Sequence, residues 1–169
     1  MDYISHYNSP IGKITLSSDG ENLTGLWFDG QKYYASTLGL IREETNLAVF
    51  GKTKLWLDNY FAGVKPTFSL PLNPKGTAFR KDVWNVLQGI PWGEVTTYGE
   101  IGKIIAKKKG IATMSAQAIG GAVGHNPISV IIPCHRVISV NGGLTGYAGG
   151  IEKKEWLLKN EGYIFPDLS

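Results

Sequence analysis

The sequence predicts an α/β (α+β) fold: a small N-terminal domain of antiparallel sheet plus one helix, residues 1–75, followed by a mostly helical C-terminal domain, residues 76–169. Three observations predict it. Residues 2–28 alternate apolar and polar side chains between turn clusters, the two-residue period of a half-buried strand. From Thr77 onward the apolar residues recur at helical spacing instead. Between these regions lies Pro71-Leu72-Asn73-Pro74-Lys75-Gly76, the most linker-like stretch of the chain.

In the first region Asn8-Ser9-Pro10 and Ser18-Asp19-Gly20 are turn sequences. They bound strands over 11–17 and 23–28, with Ile14/Leu16 and Leu26/Phe28 on the inward side. Residues 47–62 read as a helix, with Leu47, Phe50, Leu57 and Phe61 on one stripe, Trp56 and Tyr60 beside it, and Gly63 closing it. Residues 66–70 read as an edge strand. Nothing in this part carries chemistry, so it is read as a scaffold.

In the second region Thr77 is a natural N-cap. Phe79, Val83, Trp84, Leu87 and Ile90 then form a core-facing stripe that Pro91-Trp92-Gly93 breaks. Thr96 or Thr97 caps a second helix over 98–106, with Tyr98 in its first turn, and Lys107-Lys108-Lys109-Gly110 follows as a basic loop. A third helix covers 115–124 and is built from Ser115, Ala116, Gln117, Ala118, Gly120, Gly121 and Gly124 among others. Glycines inside a helix cost about 1 kcal/mol each relative to alanine, so something must approach that backbone closely. Another helix or a nucleic acid groove both satisfy the requirement. Two short helices, a turn and a small-residue third helix form a helix-turn-helix, winged-helix-like pattern. A final helix covers 152–160, with Trp156, Leu157 and Leu158 inward and Glu161-Gly162 ending it.

Composition narrows the function classes. At 43% hydrophobic and 18% charged the chain is ordinary globular material. No apolar run approaches the ~20 residues of a membrane helix, and residues 1–6 do not open like a secretory signal, so no membrane association is expected. The single cysteine excludes an internal disulfide and a multi-cysteine zinc site, and suits a reducing, cytoplasmic location. Residues 1–75 hold seven basic and seven acidic groups, whereas 76–169 hold ten and seven. The whole net charge of +3 therefore sits in the second half, as an anionic partner would favour.

That half also contains the lone cysteine. Val130-Ile131-Ile132 reads as a short buried strand that Pro133 ends, with Cys134, His135 and Arg136 at its tip. Arg136 and a protonated His135 would lower the thiol pKa, and Glu161 could orient the imidazole, giving a nucleophile, a base and an orienting group. Neighbours on a regular strand point to opposite faces, so Cys134 and His135 need a bend or a bridging water to cooperate. Asn141-Gly142-Gly143 and Gly146-Tyr147-Ala148-Gly149-Gly150 form a glycine-rich loop beyond the cysteine.

Pro133-Cys134-His135-Arg136-Val137, preceded by Gly124-His125-Asn126-Pro127, resembles the active-site signature of the O6-alkylguanine–DNA alkyltransferases, the methylated-DNA–protein-cysteine methyltransferases. The resemblance runs through residues 77–162. It takes in Phe79-Arg80, Val83-Trp84, Gly93-Glu94-Val95, Tyr98, Gly120-Gly121, Tyr147 and Lys154-Glu155-Trp156-Leu157-Leu158. It implies repair by direct reversal: the helix-turn-helix enters the minor groove of duplex DNA, the damaged guanine is flipped out, and Cys134 takes its alkyl group irreversibly. The protein would then act once, as a monomer without cofactor or metal.

The resemblance also implies roles. His135 would deprotonate Cys134 through a water while Glu161 holds His135. Asn126 would brace the turn, and Tyr98 would assist the leaving oxygen and crowd the phosphate. The carbonyls of Cys134 and Val137 would read the guanine amine, and Tyr147 and Ala148 would wall the pocket. Tyr98, Ser115, Ala116, Gln117, Ala118, Gly121 and Arg136 would face the DNA, Arg136 chiefly pinning the turn beside the recognition helix. One residue departs from the family pattern. An arginine usually fills the gap left by the flipped base, and Gln117 stands there instead. A lesion-binding sensor, a multidomain transcriptional activator and a Cys–His hydrolase are the competing readings. Cys134 argues against the first, and the lack of a metal-binding cysteine cluster against the second.

Overall fold

A computed structural model describes residues 1–39, 42–140, 142–144 and 146–166. The chain divides into two compact units: Met1–Gly76 with Pro127–Ser129, and Thr77–Asn126 with Val130–Ser169.

The first unit is built on three meandering antiparallel strands, β1 (Asp2–Ser9), β2 (Gly12–Ser18) and β3 (Leu23–Phe28). A short β4 (Arg42–Glu44), which the sequence did not signal, pairs parallel to β1 and gives the order β3-β2-β1-β4. Helix α1 (Ala48–Phe61) buries Val49, Phe50, Thr53, Leu57 and Tyr60, so the core stripe lies one residue round from the expected one and Tyr60 is fully buried. The expected strand over 66–70 is absent. Edge pairing starts later, at Leu72, where the Leu23 amide donates to the Pro71 carbonyl and the Asn73 amide to that of Leu23 (both 2.8 Å). Pro127–Ser129 belongs to this sheet: the Leu26 amide donates to the Pro127 carbonyl at 2.8 Å.

The second unit is mostly helical. Thr77 caps α2 (Ala78–Gln88) by accepting from the Arg80 amide, and Val83, Trp84 and Leu87 are buried. A two-residue parallel pair, β5 (Thr96–Thr97) with β6 (Val137–Ile138), joins distant parts of the unit. Thr97 caps α3 (Tyr98–Lys109). The three lysines expected in a loop are its last turn: lysine is a good helix former and its charge suits the negative helix end. Gly110, at φ 69°, ends the helix in the left-handed conformation that glycine adopts without cost. Ser115 caps α4 (Ala116–Gly124), which the buried Trp84 indole ties to α2 by donating to the Ala122 carbonyl at 2.8 Å.

The buried strand expected before Cys134 is not there. Val130, Ile131 and Ile132 form a turn, and Cys134–Arg136 is one turn of 3₁₀-helix. Val130 sits at φ 69°, costly for a β-branched residue, and its side chain is buried. The last helix, α5 (Ile151–Asn160), buries Lys154, Leu157 and Leu158, while Trp156 is only half-buried. Among the described residues no helix is long and apolar enough to cross a membrane.

Candidate active site

The 3₁₀ turn brings Cys134, His135 and Arg136 to the end of α5, where Glu161 follows the last helical residue. Cys134, His135 and Glu161 are all buried. His135 Nε2 lies 2.6 Å from Glu161 Oε2, and Arg136 Nε donates to Glu161 Oε1 at 2.7 Å. The Gly93 amide donates to the same Oε1 at 3.2 Å, and Arg136 Nη1 donates to the Ile90 carbonyl at 2.6 Å. Gly93 stands at φ 77°, and a side chain there would press within 3.1 Å of the Glu161 carbonyl, so the turn after α2 needs glycine to reach the carboxylate.

The electrostatics follow from burial set against these partners. Burial alone would raise the Glu161 carboxyl, but His135 and Arg136 override it and hold its pKa at about 2. Burial pushes the His135 imidazole below its usual value, against the pull of Glu161. A neutral ring whose Nε2–H donates to Glu161 has Nδ1 as its basic nitrogen. Burial likewise raises the Cys134 thiol, opposed by a hydrogen bond with the Asn126 side chain and by the charge of Lys154. The resting group is therefore a thiol. The expectation that Arg136 and a protonated His135 activate it is corrected: the countering groups are Asn126 and Lys154.

Lys154 is a buried charged residue at this site to which the sequence reading gave no role. Its side chain is fully buried, and burial pushes its pKa down to about 8, with the Cys134 sulfur opposing. One signal was present: Lys154 shares the helical stripe of Leu157, Leu158 and Glu161, at the spacing i, i+3, i+4, i+7.

The remaining candidates fall into two groups. Asn126 is buried just beyond α4 and donates from Nδ2 to the Ile132 carbonyl at 2.7 Å, within the turn that leads to the thiol. Val137 is buried in β6 and its amide already donates to the Cys134 carbonyl, leaving that oxygen one further lone pair. Tyr147 is buried with its ring edge-on to His135, centroids 6.5 Å apart, and Ala148 beside it is half-buried. The half-buried Tyr98 places its hydroxyl against Gly146, 3.3 Å from where a Cβ there would lie. Ser115, Ala116, Gln117, Ala118 and Gly121 are instead exposed on α4. A Cβ added at Gly120, Gly121 or Gly124 would meet nothing within 4 Å, so these glycines do not serve helix packing inside the protein. Arg136, expected on the DNA side, turns its guanidinium inward to Glu161 and Ile90, with 11% of the side chain exposed. The Asn141 of the glycine-rich loop lies outside the described residues.

Residues 78–163 match the family model for the 6-O-methylguanine DNA methyltransferase DNA binding domain, and residues 3–74 match that for the ribonuclease-like domain of the same enzymes. The chain belongs to this family. It is 44% identical over 161 residues to the methylated-DNA–protein-cysteine methyltransferase of Methanosarcina acetivorans, covering 95% of this chain and 98% of that one. It is 42% identical over 160 residues to the Haemophilus influenzae methyltransferase, covering 94% and 86%. In three dimensions it is similar to the Mycobacterium tuberculosis family member solved in complex with DNA, with TM-score 0.81 and 41% identity over 94% of this chain and 92% of that one.

Proposed function

We propose that this protein repairs O6-alkylguanine in duplex DNA by moving the alkyl group onto its own Cys134, once per molecule. The observation that carries the reading is a lone buried thiol, bonded by Asn126 and faced by a buried lysine, on the same short turn as a histidine held by a carboxylate. Family membership supports the same chemistry. The thiol proton passes to His135 Nδ1 through a water, the sulfur displaces guanine O6 at the alkyl carbon, and Tyr98 donates a hydrogen bond to the departing oxygen. A C–O bond breaks, an S–C bond forms, and the proton held by His135 passes through solvent to the departing guanine, which leaves neutral. The thioether has no easy reverse path, so the protein is consumed.

Residues 76–169 carry this chemistry and residues 1–75 are scaffold. The exposed Ser115, Ala116, Gln117, Ala118 and Gly121 face enters the minor groove, where small side chains permit close approach, and Gln117 fills the space of the flipped base. Tyr147 and Ala148 wall the pocket, while the Val137 and Cys134 carbonyls accept from the guanine amine. Glu161 and Arg136 position His135. The protein acts as a monomer in the cytoplasm.

Intact-protein mass after mixing with a duplex containing one O6-methylguanine tests the reading. The expected gain is one methylene, saturating at one per molecule, mapping to Cys134 and absent in Cys134→Ser. Tight lesion binding with no mass gain would make the protein a sensor instead.

A further inference from the structure

A concentration of positive charge lies at the ends of α2 and α3. The first turn of α2 carries Arg80 and Lys81, and the last turn of α3 carries Lys107, Lys108 and Lys109. Lys108 Nζ reaches Asp82 on α2 at 3.0 Å, and Lys109 Nζ stands 5.5 Å over the Phe79 ring, so the two helix ends form one cluster. These two helix ends carry five cations and one carboxylate in sequence, a local excess of +4 in a chain whose total is +3. Lys103, the next lysine along α3, is already matched by Glu100 at 3.2 Å.

Helix-end electrostatics explain little of this. One cation in the last turn is worth at most about 1 kcal/mol to the helix dipole, and further ones repel each other. The residues that follow, Gly110 to Thr113, are exposed and lead directly to the Ser115 cap of α4. Lys107 and Lys109 are exposed, and the contacts of Lys108 and Lys109 with α2 limit the freedom their side chains would lose on binding.

We propose that this lysine cluster is a second DNA contact, holding backbone phosphates outside the lesion while α4 occupies the groove. The inference rests on the DNA reading above. Phosphate contacts fix position and register without reading sequence. The cluster therefore strengthens binding to damaged and undamaged duplex alike and leaves alkyl transfer itself untouched.

The test compares wild type, Lys107→Gln/Lys109→Gln and Lys107→Arg/Lys109→Arg. Each is titrated with a 20-base-pair duplex, with and without one O6-methylguanine, from 50 to 200 mM salt. Each contacted phosphate contributes about 0.9 to the slope of log affinity against log salt, so losing two makes wild type fall roughly tenfold more than the glutamine variant over this range. The arginine variant keeps the wild-type slope, and all three take up one methyl group at saturating DNA. An unchanged slope in the glutamine variant, or a loss confined to the damaged duplex, overturns the proposal. Failure of the wild type to bind either duplex is a separate result, overturning the DNA reading and this inference with it.

Discussion

The two units of this protein bury charge in different ways. In the first, Asp2 is the buried carboxylate, bonded by the Gly39 amide and paired with Lys75 at 3.2 Å; these partners outweigh burial and hold its pKa below the usual value. These contacts tie the segments around Gly39 and Lys75 to the start of β1. In the second, Cys134, His135, Lys154 and Glu161 are all buried and electrostatically linked. Buried charge costs stability unless it is fully partnered. The first unit uses such a group as a fastener, whereas the second gathers three other ionisable groups around one thiol. Concentrated ionisable groups with shifted pKa values mark reactive sites.

The largest expected effect comes from Glu161→Gln, which keeps the shape and removes the charge shared by His135 and Arg136. Leaving the Arg136 guanidinium without its carboxylate costs about 3–5 kcal/mol, and alkyl transfer slows at least a hundredfold as the imidazole loses its anchor. Asp2→Asn is the control in the first unit: it costs about 1 kcal/mol and leaves transfer unchanged. Equal slowing by both variants would end the distinction between fastener and relay. Acid unfolding sharpens it further. Glu161 ionises at about 2 folded against an ordinary 4.5, so the unfolded chain binds more protons between those values. Its stabilisation is complete above pH 4.5 and is lost as pH falls towards 2, on the order of 3 kcal/mol in urea titrations of wild type that Glu161→Gln lacks.

Lys154→Met probes the same region with a smaller effect. Removing the cation that interacts with Cys134 leaves burial to raise the thiol further, so the pH–rate profile of transfer moves to higher pH and the rate at pH 7 falls about tenfold. Stability moves the other way. The folded pKa of about 8 lies below the ordinary 10.5, so the charged form is disfavoured by folding. That cost is fully present below pH 8 and is relieved as pH rises towards 10.5. The variant is therefore at least as stable as wild type at pH 7, and wild type gains on it between pH 8 and 10. A slower variant with an unshifted profile would reduce Lys154 to a packing residue.

Much of this was legible in the sequence, and the failures have physical causes. The alternation of Ile14/Leu16 and Leu26/Phe28 located β2 and β3, and Thr77 and Thr97 marked helix starts because their hydroxyls accept from amides three residues on. Val130-Ile131-Ile132 misled because an apolar run reports burial, and burial does not distinguish a strand from a turn. The positive φ of Val130 has no local signature. Lys154 escaped because lysine is almost never fully buried, so its place on the apolar stripe carried less weight than its type. The two-residue β5–β6 pair is a long-range contact with no periodicity to detect.

The smallest expected effect concerns the exposed α4 face rather than the buried relay. Gln117 is exposed in the first turn of α4, where an arginine would add a charge without touching the Glu161 network. Gln117→Arg should tighten binding to a lesion duplex a few-fold at low salt and steepen the salt slope by at most about 0.9, one phosphate's worth. The same variant should leave the pH–rate profile in place, since the thiol, His135 and Lys154 are unchanged. Identical affinities and slopes for variant and wild type would show that this position meets bases rather than phosphates, and glutamine's amide would then act by hydrogen bonding alone. A shifted pH–rate profile would be the more consequential result, because it would make the DNA-facing helix part of the electrostatic environment of Cys134.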